Sequence, residues 1–311
     1  MRPLVFEPLF MERVWGGRRL ETLYGKRLPA DIQIGESWEL VDRPEAQSIV
    51  KNSVWRGRAL HELWLDYRQE VFGELPASPR FPLLVKLLDA RTTLSLQVHP
   101  PAAAAAELGG EPKTEFWYVT DAASDAELYV GLKQKSSRRQ IEEALARGSV
   151  EEHVHRIRVQ AGDSMFLPSG RMHALGAGLV VVEIQQNSDT TYRVFDWDRL
   201  GSDGKPRELH LEESLRSIDF GDCRPTLVSP GGELLVNSSH FAIEKWEVMN
   251  PRKITQPGTL AIVVCLTGEL SCAGVVLQPG EMFLVPASLR DRKLTPGAGG
   301  TTLLLVTIPA G

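Results

Sequence analysis

Between residues 94 and 99 the chain alternates apolar and polar side chains, Leu94-Ser95-Leu96-Gln97-Val98-His99. A period of two is the mark of a half-buried strand. Leu94, Leu96 and Val98 then share one face, and Ser95, Gln97 and His99 share the other. The continuous apolar run from Phe81 to Leu88, closed by Asp89, predicts a buried strand. Shorter strands are predicted over 35–41 and 113–119, and Val14-Trp15-Gly16-Gly17 predicts a turn behind an apolar strand. Leu60, Leu63, Trp64, Tyr67, Val71 and Phe72 recur near helical spacing, which predicts one amphipathic surface helix over 59–73. A second helix is predicted over 136–147, with Ser136 at its start and Gly148 beyond its end. The alanine run after Pro100-Pro101 predicts one or two helical turns, ended by Gly109-Gly110.

From Gly148 to residue 186 the pattern is strands and turns, followed by a loop over 201–208 and a short helix near Leu211. A Pro/Gly/Ser break at 228–232 precedes further strand-like runs at 260–266, 275–277, 282–285 and 301–308. An internal repeat spans that break. Val159-Gln-Ala-Gly162-Asp163 stands six residues, counted from its glycine, before Pro168, and Leu277-Gln-Pro-Gly280-Glu281 stands at the same distance before Pro286. Each copy is a turn, a hydrophobic strand and a proline stop. The first continues to His173, whereas the second has no histidine after it. The expected fold is therefore mainly β: two related β-barrels with a few short helices. Residues 1–228 would carry a site and helical additions, and residues 229–311 a smaller, degenerate copy.

Composition narrows the function. With 311 residues, 42% hydrophobic and 24% charged, the chain has the make-up of a soluble globular protein of about two domains. A formal net charge of -5 and the lack of a basic stripe disfavour a nucleic-acid role. Apolar runs are strand-sized, so no membrane span is expected, and the first residues lack the apolar core of a signal peptide. Three cysteines suggest neither a disulfide framework nor a thiolate metal cluster, and the expected compartment is the cytoplasm. A metal here would have to use histidine, carboxylate and amide ligands.

Such ligands are present. Gly162-x5-Pro168-x-Gly170-x2-His173 is the second signature motif of cupins, small β-jelly-rolls, so the two barrels are expected to be cupin-like. The first cupin motif supplies His-x-His and then Glu; here its equivalent is Gln97-x-His99, with Glu115 further on than usual. Gln97, His99, Glu115 and His173 together offer two imidazoles, a carboxylate and an amide oxygen, a set that suits one zinc ion with an open position. His153-x-His155 follows two acidic residues and has no carboxylate at a matching spacing, so it reads as an ordinary surface pair.

Several segments resemble one family, the type I mannose-6-phosphate isomerases, in their short bacterial form. They are Phe81 to Ala90, Leu94 to Pro100, Lys113 to Tyr118, Pro168 to Gly178 and Glu183 to Arg193, with Trp15-Gly16-Gly17 and Gly35-Glu-Ser-Trp38 near the start. The resemblance covers most of residues 1–220. It implies zinc ligands at Gln97, His99, Glu115 and His173, a catalytic arginine at Arg193 and an active-site lysine at Lys113. Lys113 and Arg193 would also bind substrate, and Trp15, with Trp38, is a candidate wall of the sugar pocket, although core packing is the commoner role for a tryptophan. Two local departures are Ser169 within the Pro-x-Gly turn and Met172 beside His173.

The implied reaction interconverts mannose 6-phosphate and fructose 6-phosphate through a cis-enediol, so the expected partner is a small sugar phosphate. The residues leave the proton-transfer base unnamed; Glu183, on an alternating face with Val181 and Gln185, is a candidate. Two alternatives share the ligand set: a non-haem iron oxygenase using His99, Glu115 and His173, and a cupin that binds a sugar phosphate without turnover. Gln97 argues against the first by filling a position that oxygen would need. Nothing in the sequence decides between a monomer and a homodimer.

Overall fold

In the computed structural model, which describes residues 1–201, 203–229, 231–255 and 258–309, period-two alternation sorts the strand side chains into separate cores. The chain is mainly β, as expected. One antiparallel sheet has six strands in the order Leu9–Gly17, Ile34–Leu40, Leu83–Ala90, Leu179–Gln186, Glu115–Ala122 and Ser164–Leu167. A five-stranded sheet runs Tyr192–Phe195, Leu96–Val98, His173–Leu175, Glu127–Leu132 and Val154–Arg158. A seven-stranded sheet beyond residue 233 is built on two long strands, Ala261–Cys272 and Lys293–Thr307.

On the six-stranded sheet, Leu83, Val85, Leu87, Phe116, Tyr118, Val180, Val182 and Ile184 face outward. There they meet Ile243, Ile262, Val264, Leu304 and Val306 of the C-terminal sheet in one shared core. Helices Leu60–Asp66 and Arg68–Val71 close that core with Leu60, Leu63, Trp64 and Val71. The alternate residues of the C-terminal strands, Val263, Cys265, Leu303 and Leu305, face a second core of their own. The chain start is stitched to the far sheet, since Leu4 and Leu284 exchange backbone hydrogen bonds of 2.8 and 2.9 Å.

The other face of the six-stranded sheet looks into the sandwich, and its character changes along the strands. Leu88, Ala90, Val119, Leu179 and Val181 make one end apolar, together with Leu128, Val130 and Leu175 from the five-stranded sheet. At the other end the same inward positions are Lys86, Glu115, Glu183 and Gln185, all buried. Register aligns them across neighbouring strands: Glu183 lies opposite Lys86 on one side and Trp117 on the other, and Gln185 lies opposite Glu115.

Several local expectations needed correction. The single helix over 59–73 is two short helices broken at Tyr67, whose φ of −127° is not helical. Trp15-Gly16-Gly17 is the end of a strand rather than a turn; the space beside it is so tight that a Cβ on Gly16 would lie 2.4 Å from the Gly35 nitrogen. The strand around Gln97 begins only at Leu96, so Leu94 packs in the inner core and not with Leu96 and Val98. The C-terminal strands run much further than the apolar stretches that announced them. Residues 202 and 230, within the predicted loop and break, lie outside the described residues. The two repeat turns are alike in detail. Gln160 N donates to the Asp163 side chain and Gln278 N to that of Glu281, both at 2.8 Å, and Gly162 and Gly280 both have positive φ.

Ile262 is fully buried in the shared core. Ile262→Ala is expected to cost about 2–5 kcal/mol in urea unfolding. Because that core joins the six-stranded and C-terminal sheets, unfolding should remain one transition by fluorescence and by activity; two separated transitions would contradict a shared core.

Candidate metal centre and its cavity

Two strand ends and one turn bring the four sequence-flagged donors together. His99 lies just past the end of its strand, before Pro100, and the Pro168-Ser169-Gly170 turn ties the elements to one another. Gly170, at φ 94°, donates to the His99 carbonyl at 2.9 Å. Ser169 Oγ accepts from the Lys113 backbone at 3.1 Å. His173 pairs in register with Gln97 on the adjacent strand.

Glu115 is fully buried, and His99 and His173 each keep 1% exposure. Their ligating atoms lie within 4.8 Å of one another. Each histidine presents Nδ1 to a backbone carbonyl at 2.8 Å, His99 to Thr190 and His173 to Arg171. Those bonds place the proton on Nδ1 and leave the Nε2 lone pairs pointing at Glu115, 3.4 and 3.3 Å from its oxygens. Neither Glu115 oxygen accepts a hydrogen bond of ordinary geometry. Lone pairs and a carboxylate aimed at one another repel unless a cation lies among them, so the donor set fits a metal ion. Gln97 Nε2 lies 3.3 Å from His173 Nε2; half a turn of its amide offers the oxygen as a fourth ligand.

The electrostatics agree. Burial and the Lys113 charge push His99 down to about 3, so its imidazole is neutral near pH 7. Burial opposes charge on Glu115, yet the Lys113 charge outweighs it and holds the carboxyl well below its ordinary range. Lys113 Nζ stands 2.7 Å from Glu115 and 3.4 Å from His99 Nε2.

A cavity of about 400 Å³ opens in front of this cluster. Gln97 and Lys113 belong to both, while His99, Glu115 and His173 sit behind the cavity lining. Trp15 and Arg193 line it, but Trp38 does not; it packs with Val41 and Leu84 and donates to Glu36 at 2.5 Å. Arg193 is the in-register neighbour of Gln97. His153 and His155 are half-exposed and stand apart from the cluster. Glu183 lines the cavity, bonded to Trp117 Nε1 at 2.7 Å and 3.2 Å from Lys86. Burial, and next the Glu115 charge, raise its carboxyl pKa.

Sequence reasoning missed Arg13, Glu36, Lys86, Asp189 and Arg207, all of which line the cavity. Lys86 did leave a signal, as the lone charge in the apolar run from Phe81 to Leu88. Arg13 and Arg207 left none, because single arginines in a strand or a loop are ordinary surface residues.

Residues 4–121 match the family described as phosphomannose isomerase type I, catalytic domain. The mannose-6-phosphate isomerase of Streptococcus mutans is 37% identical over 92% of this chain and 94% of its own length. The crystal structure of the Bacillus subtilis mannose 6-phosphate isomerase superposes with a TM-score of 0.88 at 33% identity, covering 99% of this chain and all of that one. A mannose 6-phosphate isomerase bound with zinc and yttrium shares the fold, at a TM-score of 0.76, 18% identity and 99% coverage of each chain.

Two measurements test the site. Only the folded chain assembles the donors, so a divalent cation is expected to stabilise chelator-treated protein, by about 4 kcal/mol at a thousandfold excess over Kd. Glu115→Gln and His173→Ala should abolish the thermal shift; a shift surviving in both would place the metal elsewhere. The second concerns Glu36, held by Arg13 at 2.8 Å and Lys86 at 3.6 Å. Burial pushes its carboxyl up, but the Lys86 and Arg13 charges outweigh burial and bring it down from 4.5 to about 2. A depressed pKa stabilises the fold fully above pH 4.5 and loses that contribution as pH falls toward 2. Glu36→Gln is therefore expected to flatten the loss of stability across that window; an unchanged acid slope would contradict the pairing.

Proposed function

The chain belongs to the type I phosphomannose isomerases, and from that premise we propose that it interconverts mannose 6-phosphate and fructose 6-phosphate at a single zinc held by Gln97, His99, Glu115 and His173. The observation that carries the reading is the pair of Nε2 lone pairs facing a buried carboxylate beside a cationic cavity. A set of two imidazoles, a carboxylate and an amide oxygen suits zinc and leaves room for substrate. When bound there, zinc supplies Lewis-acid polarisation of the sugar C1 and C2 oxygens.

The chain's own groups do the rest. Arg193, next to Gln97, stabilises the negative charge that develops on the enediol oxygens. Lys113, four per cent exposed beside Glu115, adds a second fixed positive charge and helps bind the substrate. Trp15 forms part of the sugar-binding wall. Glu183 is the candidate base, since its raised pKa and place in the lining suit a group that takes up and returns a proton. Lys86 is held in its charged form, because Glu36 and Glu183 outweigh the burial that opposes charge. It therefore fits charge stabilisation rather than proton removal. In the ketose-to-aldose direction Glu183 takes a proton from C1, and the C1–H electron pair becomes the C1=C2 bond. The hydroxyl proton moves from O1 to O2, and Glu183, its proton exchanged with solvent, protonates C2.

We also read the chain as two units, residues 1–228 with the site and residues 229–311 a degenerate copy; the matching turns at Gly162 and Gly280 support that division. The alternative oxygenase would need an open position that Gln97 fills, and a purely binding cupin would need no group suited to proton transfer at Glu183. Among the described residues no helix is long and apolar enough to cross a membrane, which agrees with the cytoplasmic setting proposed here.

Isomerisation of fructose 6-phosphate in D2O, followed by NMR, tests the chemistry. The expected product is mannose 6-phosphate carrying deuterium at C2, with turnover in Glu183→Gln reduced by about 100-fold or more. Product without deuterium would show that hydrogen passes from C1 to C2 without exchange with solvent, and full turnover in Glu183→Gln would remove that residue from the role.

A further inference from the structure

The bond from His99 Nδ1 to the Thr190 carbonyl, 2.8 Å long, fixes which way the imidazole faces. Thr190 lies between the strands Leu179–Gln186 and Tyr192–Phe195, in a stretch with no ladder to hold it. Its position is set by a second loop, the one that joins His99 to Glu115. Glu111 N donates to Thr190 Oγ1 at 3.0 Å, and Ser188 Oγ donates to the Glu111 carbonyl at 3.3 Å. Thr190 N in turn donates to Ser188 Oγ at 3.2 Å. The two loops touch, since a Cβ on Gly110 would lie 2.7 Å from the Thr190 methyl and from Tyr192 Oη.

Glu111 also lies outside any helix or strand, but its side chain is anchored. The carboxylate is gripped by Arg43, at 3.1 Å, and by Arg80. Both guanidinium groups also donate to the Asn187 carbonyl, at 3.2 and 2.9 Å. Asn187 is buried and sends Nδ2 to the Asp42 and Phe81 carbonyls, both at 2.7 Å. Arg43 sits on the short strand Asp42–Arg43, and Arg80 just ahead of the strand Leu83–Ala90. The frame thus holds both loops through one carboxylate and one carbonyl. Two guanidinium groups brought to one carbonyl repel each other unless negative charge lies beside them. Glu111 supplies it to both, and Glu45 adds a second charge on Arg43. Burial opposes charge on Glu111, but the bonds from Arg80 and Arg43 outweigh it and hold the carboxyl below its ordinary range.

We propose that Glu111, clamped by Arg43 and Arg80, is a positioning residue: through Thr190 it fixes the His99 imidazole and so sets how tightly the centre holds its metal. This deepens the metal-centre reading above and rests on it. An acceptor held in place at Nδ1 keeps the ring in one tautomer, raises the basicity of Nε2 and leaves little orientation to be lost when a cation arrives. Neither Glu111, Arg43, Arg80 nor Thr190 lines the cavity, so the clamp acts on the centre and not on the sugar.

Two readouts on the full chain test it. In metal-free protein, NMR follows exchange of the His99 Nδ1 proton with solvent. Competition with a chromophoric chelator then gives the Kd for zinc, and the absorption of added cobalt reports the coordination geometry. Glu111→Gln is expected to speed the proton exchange, raise Kd about 10-fold and alter the cobalt spectrum. Thr190→Val, which keeps the carbonyl but loses the hydroxyl, should do the same, and Thr190→Ser should behave as the unaltered chain. The double variant Glu111→Gln/Thr190→Val should be no worse than either single one, because both cut one path. The Glu111 side chain is 40% exposed, so the urea midpoint of the metal-free chain should not move. Unchanged exchange or unchanged Kd in Glu111→Gln would overturn the proposal. So would a urea midpoint that falls in step with the affinity, which would make the clamp structural alone. Should Glu111→Gln fail to fold, Thr190→Val and Thr190→Ser decide by the same readouts. An unaltered chain that takes up no metal would defeat the reading of the centre, while proton exchange in the metal-free chain still decides whether Glu111 positions His99.

Discussion

Everything at the site depends on keeping Glu115 ionised where no water reaches it. A buried carboxylate is costly unless it is paired, and the cost falls only if opposite charge is held close by. Lys113 at 2.7 Å provides one such charge. The two histidines cannot provide it, since hydrogen bonds from Nδ1 to backbone carbonyls leave Nε2 as a lone pair. The arrangement is therefore unfavourable for two histidines and a glutamate alone, and favourable for a cation gathered among them. The fold is built to hold it. The Pro168-Ser169-Gly170 turn bonds the His99 carbonyl and the Lys113 backbone, so the elements carrying three of the donors are anchored to one short segment.

The same strands carry stability at one end and chemistry at the other. Inward positions are apolar through Leu88, Val119 and Val181, then become Lys86, Glu115 and Glu183 further along the same strands. Outward positions of the same strands stay apolar and lock onto the C-terminal sheet. The C-terminal sheet thus supports the site-bearing sheet from behind, with no histidine following the turn at Gly280. In the polar end, charges are arranged in paired groups, Arg13–Glu36–Lys86–Glu183 and Lys113–Glu115. Arg193, Arg207 and Asp189 line the same cavity, and Arg207 is paired with Asp196.

Much of this was legible in the sequence, for physical reasons. Gln97 and His99 were readable because a strand puts alternate residues on one face, and His173 because a glycine turn and a Pro-x-Gly turn fix where the next strand begins. The repeat at Gly162 and Gly280 was readable because each turn needs a positive φ and a carboxylate placed to accept a backbone N–H. Lys86 was readable in principle, as a charge inside a buried strand, but its meaning depended on Glu36 and Glu183, which only the sheet register brings beside it. Arg207 could not be found, since it reaches the cavity through a carboxylate eleven residues away in a loop. The helix over 59–73 misled because spacing reports which residues face the core, not whether the backbone turns at Tyr67 between them.

The most direct test is turnover of fructose 6-phosphate by the purified chain before and after chelation, with metal content measured alongside. Activity that disappears as the metal leaves, and returns when about one zinc per chain is added back, is the expected result. Undiminished turnover in protein shown to be free of metal would contradict the assignment of the His99–Glu115–His173 cluster as the centre on which the reaction depends.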